Sequence, residues 1–264
     1  PSTRIASFMR QHTTLILGLA VLLLLVLVSM LAPLLWTKDP LAIDHAVRLQ
    51  GPSQDHWLGT DLHGRDLYSR VIYGGRISLL IGLAVAVLSS IIGAVIGLVS
   101  GFVKPLDGVI MRIMDGVMSI PGIMLAIALM ALWQSSIQNV IIAITVVEIP
   151  RVSRLVRSVV LSLREQPYVE AAVSMGAGTP RIIFSHILPN ALPPLLVQAT
   201  FIFSAAMLIE AALGFIGAGS PPTIPSWGNI MAEGRSLWQI QPSMIFYPAA
   251  ALSVAVLSIN LLGD

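Results

Sequence analysis

The residue types that carry covalent or metal chemistry are scarce in this sequence, and their spacing does not suit it. Cysteine is absent, which excludes a thiolate nucleophile, a thiolate metal site and a disulfide framework. The only lysines are Lys38 and Lys104, and neither follows a glycine. A Gly-Lys-Ser/Thr loop for nucleotide phosphates is therefore missing, and any nucleotide chemistry belongs to a partner. No His-Glu-x-x-His pair and no Gly-x-Ser-x-Gly elbow occurs, so the residues point to no enzyme. His45, His56 and His63 lie near Asp61 and Asp66, but their separations match neither a helical nor a Cys-x-x-Cys-type ligand set. No metal and no cofactor is assigned. Ionisable groups inside apolar sequence are the remaining suspects. Glu148 and Glu210 qualify, each near the end of its apolar stretch. They do not form the midplane set that an ion-coupled secondary transporter needs. That class stays as the alternative, and a response to ion gradients without an ATPase would mark it.

The elements around these residues are set by composition. Of 264 residues, 56% are hydrophobic and 11% are charged, with a mean hydropathy of +0.87. A soluble domain carries about 25% charged residues, so this chain cannot cover a water-facing surface. A net charge of +2 leaves no basic face for nucleic acid. The low aromatic share of 6% suits helices better than an aromatic-girdled barrel. The expected class is an all-α membrane protein. A span needs about 20 apolar residues, and charge-free stretches place six transmembrane helices. The first lies within Gln11–Thr37 and the second within Ile77–Val103; the others cover about 109–132, 138–158, 191–213 and 242–262. The first stretch is too long for a signal-peptide core, and no small-residue cleavage site follows it. Pro1 stands where an initiator methionine would, and the chain stops at Asp264, so further tails are expected.

Basic residues orient the bundle. One side holds Arg4, Arg10, Lys104, Arg112, Arg151, Arg154, Arg157, Arg164 and Arg181; the other holds Lys38, Arg48, Arg65, Arg70, Arg76 and Arg235. The bias predicts a cytoplasmic N-terminus. Arg151, Arg154 and Arg157 read as a snorkelling anchor at the inner surface. Ser89, Gly93, Gly97 and Gly101 recur every fourth residue and predict close helix packing. Pro121 predicts a kink in the third span. Gly64–Gly75 reads as a short amphipathic helix lying flat at the outer interface.

The segment REQPYVEAAVSMGAGTPRIIFSHILPN, 164–190, reads as two short helices. Pro167 suits a first helical position and Gly176 a stop; Thr179 suits an N-cap, Pro180 the next first position, and Pro189 an end. Ala171 and Ala172 keep the first helix slim enough to enter a cleft. A short helix joined rigidly to the next span can act as a lever.

Glu170-Ala171-Ala172, then Gly176, then Ile187-Leu188-Pro189 resembles the EAA loop of ATP-binding-cassette importer permeases. His186 departs from that pattern, which has an apolar residue there. His56-Trp57-Leu58-Gly59-Thr60-Asp61 with Gly64-Arg65-Asp66 and Ser69-Arg70 is similar to the segment before the second span of peptide and nickel permeases. Ala212-Leu213-Gly214-Phe215-Ile216-Gly217, Pro221-Pro222, Ser226-Trp227-Gly228 and Asn260-Leu261-Leu262-Gly263-Asp264 extend the likeness over nearly the whole chain. It points to the C-type subunit of the dipeptide/oligopeptide permease family. The resemblance implies a type I importer fold in the bacterial inner membrane. Residues 1–75 would hold a tail, the first helix and an external segment, and 76–264 a five-helix core. It also implies a heterodimer with a homologous permease, two ATPase subunits, and a periplasmic or extracellular substrate-binding protein. Glu170, Ala171, Ala172, Gly176, Ala177 and Gly178 would form the ATPase-coupling loop. The expected solutes are di- and oligopeptides, with nickel, glutathione or an opine-like compound as alternatives.

Overall fold

In hydrocarbon every backbone N–H and C=O must find its partner within the segment, and helices do this. In the computed structural model, which describes residues 13–263, the apolar runs are helical. They are α1 (Thr13–Met30), α2 (Leu67–Phe102), α3 (Lys104–Met118), α4 (Gly122–Leu132), α5 (Ile137–Arg164), α6 (Pro167–Ser174), α7 (Thr179–Ile182), α8 (Leu188–Phe215), α9 (Trp227–Gly234) and α10 (Ser243–Gly263). Among the described residues the only β pairing is an isolated bridge between Thr60 and Asp66. Arg4, Arg10 and Asp264, used in the sequence reading, lie outside these residues.

Four stretches are long and apolar enough to cross a bilayer: α1, α2, α7 continued through α8, and α10. Together α3 and α4 meet the same test but bend by 88° at their junction. The α5 helix has 28 residues, which is ample length, but Glu148, Arg151, Arg154 and Arg157 dilute its apolar character. The expected third span, about 109–132, is thus two helices. Pro121 does not kink a continuous helix; it precedes α4 in an extended conformation at the break.

The second helix starts ahead of the expected position. Asp66 caps α2 by accepting from Ser69 N at 2.8 Å, and Leu67, its first residue, is fully buried. The proposed flat helix over Gly64–Gly75 is therefore corrected: this stretch is the packed first part of α2. The glycine stripe expected on α2 faces α5. A Cβ on Gly93 would lie 2.5 Å from Val152 Cβ, and one on Gly101 would lie 2.5 Å from Val160 Cγ1. A Cβ on Gly97 would lie 2.7 Å from Ser153 O. Three missing side chains let the two backbones approach. Ile144, Val152, Val156 and Val160 of α5 fill the resulting core with Ile81 and Val85 of α2.

The arginine row on α5 does more than snorkel. Arg157 donates to both Asp107 carboxylate oxygens, at 2.5 and 2.6 Å, and Ser100 Oγ adds a bond to Asp107 at 2.6 Å. Arg154 pairs with Asp115, and Arg151 with Glu148 at 2.8 Å. Two of the three arginines thus clamp α3 onto α5. This clamp holds the α2–α3 turn and the end of α5 together, directly before the 164–190 segment.

Candidate functional site

Gln166 is extended and opens α6; its carbonyl accepts from Val169 N at 2.9 Å and Glu170 N at 3.1 Å. Pro167 takes the first helical position, where no N–H is needed. The stop is a Schellman arrangement: Ala177 N donates to Ala172 O at 3.0 Å and Gly176 N to Val173 O at 2.9 Å. Gly176 has φ +82°, the left-handed conformation that this stop requires. A Cβ there would meet nothing within 4 Å. Within this chain the glycine is needed for backbone conformation, not for space.

The predicted coupling residues divide between two faces. Glu170, Ala171, Gly176 and Gly178 are exposed. Ala172 is buried with Val169 and turns toward the protein body, and Ala177 is half-buried. The exposed face also carries Val173 and Met175, the latter 82% exposed. Sequence reasoning missed these two apolar residues, although an apolar side chain next to a helix stop was visible in VSMGAG. Beside α6 lies a hollow of about 300 Å³ lined by Tyr168, Ala172, Met175, Gly176, Arg181 and His186. His186 is a brace in this hollow. Its ring contacts that of Tyr168 at 6.3 Å, and Asn190 Nδ2 donates to the His186 carbonyl at 2.6 Å. Of these two contacts only the one to the Tyr168 ring involves the side chain that departs from the apolar pattern.

The second short helix begins one residue earlier than expected. Gly178 is the N-cap and Thr179 the first helical residue. Nor does Pro189 end the unit. It sits in the first turn of α8, and a π-helical turn, Ile183–Ile187, precedes it. Proline cannot donate to the carbonyl four residues back and crowds it. The widened turn accommodates this, with Leu188 N bonding to Ile183 O. The segment therefore runs without interruption from Thr179 to Phe215. At its other end α5 is pinned by Arg164, which donates to Gly101 O at 2.6 Å and lies over the Phe102 ring. A small exposed helix is thus held between two long helices.

A second polar cluster lies at the opposite end of α2, whose 36 residues span about 54 Å. Asp61 Oδ2 accepts from Arg65 Nε and Arg70 Nη1, both at 2.6 Å. Glu233 of α9 accepts from Arg65 at 2.6 Å and from Arg70 at 2.9 Å. His56 Nδ1 lies 2.9 Å from Asp66 Oδ1. Gln241 Nε2 donates to Gln50 O and Thr60 O, at 3.1 and 2.8 Å. These bonds fasten the 38–66 segment to α9 and the loop before α10. Asp61, His63 and Glu233 come close enough to share a metal ion. However, two guanidinium groups already neutralise both carboxylates, so a cation would have to displace them. This residue set fits an ionic latch better than a metal site. Glu233, absent from the sequence reading, is 163 residues from Arg70, and no local pattern announces it.

Of the two carboxylates inside spans, Glu148 pairs with Arg151 as described. Glu210 is fully buried and accepts from Ser78 Oγ at 3.0 Å. Ser78 Oγ also lies 3.3 Å from Trp227 N, at the start of α9. Glu210 therefore joins α8, α2 and α9.

A polytopic helical bundle with an exposed helix between two long helices is the architecture into which the likeness to known proteins falls. Residues 89–264 match the family described as "Binding-protein-dependent transport system inner membrane component". Residues 5–52 match the "N-terminal TM domain of oligopeptide transport permease C". A probable peptide ABC transporter permease protein of Sinorhizobium fredii is 51% identical over 255 residues, covering 97% of this chain and 87% of its own. A glutathione transport system permease protein of Pectobacterium atrosepticum is 38% identical over 258 residues, covering 97% and 86%. Inward-facing MetNI methionine ABC transporter shares the fold with a TM-score of 0.63 at 24% identity, over 75% of this chain and 94% of that one. The chain belongs to the binding-protein-dependent ABC importer permeases, in their dipeptide/oligopeptide branch. It is a multi-pass protein of the bacterial inner membrane and a transport subunit, not an enzyme.

Proposed function

We propose that this chain forms half of the transmembrane pathway of an ATP-driven importer of di- and oligopeptides. A homologous permease supplies the other half, two ATPase subunits sit beneath, and a substrate-binding protein delivers solute from the far side. The chain crosses six times with its N-terminus in the cytoplasm: α5 and the bent α3–α4 pair join the four apolar stretches. The coupling surface is Glu170, Ala171, Gly176 and Gly178, with Ala172 and Ala177 holding the helix against the body. Val173 and Met175 add apolar contact.

The observation that carries this reading is α6 itself. A helix with a proline start, a glycine stop and an exposed apolar edge sits between two long helices braced by Arg164 and the π-turn. A cleft in an ATPase that closes with its nucleotide cycle would grip this edge and move both spans. Such coupling is reciprocal in binding free energy, so solute delivery must also shift the affinity of the ATPases for nucleotide. At the other end of α2 the Asp61–Arg65–Arg70–Glu233 latch stiffens the surface that faces the binding protein.

The peptide reading rests on the likeness to the Sinorhizobium peptide permease, and glutathione is the second reading because of the Pectobacterium relative. Purification of the intact complex in mild detergent tests both. Two ATPase subunits and one homologous permease co-purify, and hydrolysis rises with a peptide-loaded binding protein. A chain that purifies alone and moves solute in proteoliposomes under an ion gradient would instead be a secondary transporter.

A further inference from the structure

The first span touches the rest of the bundle incompletely. Between α1 and α2 a crevice of about 730 Å³ opens, closed at the back by Phe203 of α8. Its walls include Leu22 and Val26 of α1 and Leu80 and Leu83 of α2. Only at one end is the lining polar, where Ser29 and Arg76 meet. An engineered apolar cavity of about 150 Å³ already takes up benzene, so this space holds a much larger apolar group. Leu22 to Met30 spans about 12 Å of helix, which gives the crevice the shape of a slot along α1.

Arg76 closes the polar end. Its Nε donates to Ser29 O at 2.5 Å and its Nη2 to Met30 O at 2.9 Å, so it caps the last turn of α1. The Tyr73 ring lies 4.6 Å from the guanidinium. Arg65, Arg70, Arg151, Arg154 and Arg157 each pair with a carboxylate; among the described residues Arg76 is one of the arginines that pair with none, and it is the one that lines this crevice. Its positive charge thus stands at the level where α1 leaves the membrane, without an anion, over an apolar slot.

We propose that this crevice binds one phospholipid, with an acyl chain between α1 and α2 and its phosphate on Arg76. The chemistry of the two ends selects this occupant. A free phosphate has no use for the slot, and the apolar middle of a helix from another subunit would bring no anion to the guanidinium; a phospholipid serves both ends. The bound lipid fills the gap between α1 and the core and so belongs to the structure of the subunit. This inference needs only the membrane location and is independent of the coupling loop and of the solute.

The test uses the complete transporter in nanodiscs containing phosphatidylglycerol with a photoactivatable diazirine near the middle of one acyl chain. Adducts are mapped by peptide mass spectrometry. They are expected to concentrate on the peptides holding Leu22–Val26 and Leu80–Leu83. Leu83→Trp fills the slot from an exposed position and should remove them, while Arg76 stays intact. Arg76→Gln should lower them about tenfold, the worth of a charge-assisted hydrogen bond; a monodisperse complex in both cases shows that folding survives. Labelling spread evenly over the lipid-facing helices, or unchanged in Leu83→Trp, would overturn the site. Loss in Leu83→Trp with no change in Arg76→Gln would overturn the phosphate contact. Cross-links from the slot to the homologous permease would show a protein occupant and overturn the proposal.

Discussion

Ala171→Trp is expected to abolish solute uptake while the chain still inserts and folds. Ala171 is exposed in the middle of α6, so the larger side chain replaces no packed contact of this subunit and costs about 0.5 kcal/mol in helix propensity. In the proposed coupling it does meet the ATPase cleft. Losing a close-fitting contact at the centre of an interface costs about 2 kcal/mol or more, which lowers occupancy on the order of thirtyfold. Uptake of a labelled peptide and recovery of the ATPase subunits on a tagged permease should fall together. Substitutions at Gly176 separate bulk from strain. Its φ of +82° makes Gly176→Leu strained by about 1–2 kcal/mol. Asparagine tolerates that conformation far better, so Gly176→Asn reports mainly on added bulk at the contact. Loss of uptake in Ala171→Trp and Gly176→Asn alike points to docking. Normal uptake in both would remove α6 from the mechanism.

Arg70→Met is expected to have the second large effect, on stability. Arg70 is 1% exposed and binds both Asp61 and Glu233. Removing one member of a buried ionic network leaves uncompensated charge and costs about 3–5 kcal/mol. Here Asp61 retains Arg65, which softens the loss, so the lower end of that range applies. Thermal unfolding of the purified complex should show a clear fall in midpoint. Glu165→Gln, at an exposed position, should leave it unchanged. A second consequence follows from the latch. With Arg70 gone, the 38–66 segment loses one of its ties to α9, and stimulation by the binding protein should weaken even at temperatures where the complex is intact. An unchanged midpoint would mean that the network carries little net stability.

Much of the architecture was legible because hydrocarbon imposes one rule on every span. Charge-free runs located α1, α8 and α10 within a few residues. The glycine stripe pointed to a close helix contact on α2 because a four-residue repeat of small side chains has few other uses, and only the structure shows that the partner is α5. Pro167 and Gly176 marked both ends of α6 because each permits only a narrow range of backbone geometry. What was hidden depended on distant partners. Arg70 and Arg76 look like loop residues until Asp61, Glu233 and the end of α1 are placed beside them. The start of α2 was therefore read too late. The 88° bend after Met118 exceeds the kink that a single proline announces. Pro189 looked like a stop because the π-turn that accommodates it leaves no trace in the local pattern. The inward face of Ala172 was equally silent, since alanine suits both a docking surface and a packed one.

The most direct measurement uses the absence of cysteine from the sequence. Met175→Cys places a single thiol on the exposed edge of α6, where the native side chain is 82% exposed. A membrane-impermeant maleimide should label it in inverted vesicles and not in intact spheroplasts, and a short bifunctional reagent should join it to an ATPase subunit in a nucleotide-dependent way. Labelling from outside the cell, or no ATPase adduct in any nucleotide state, would contradict the account.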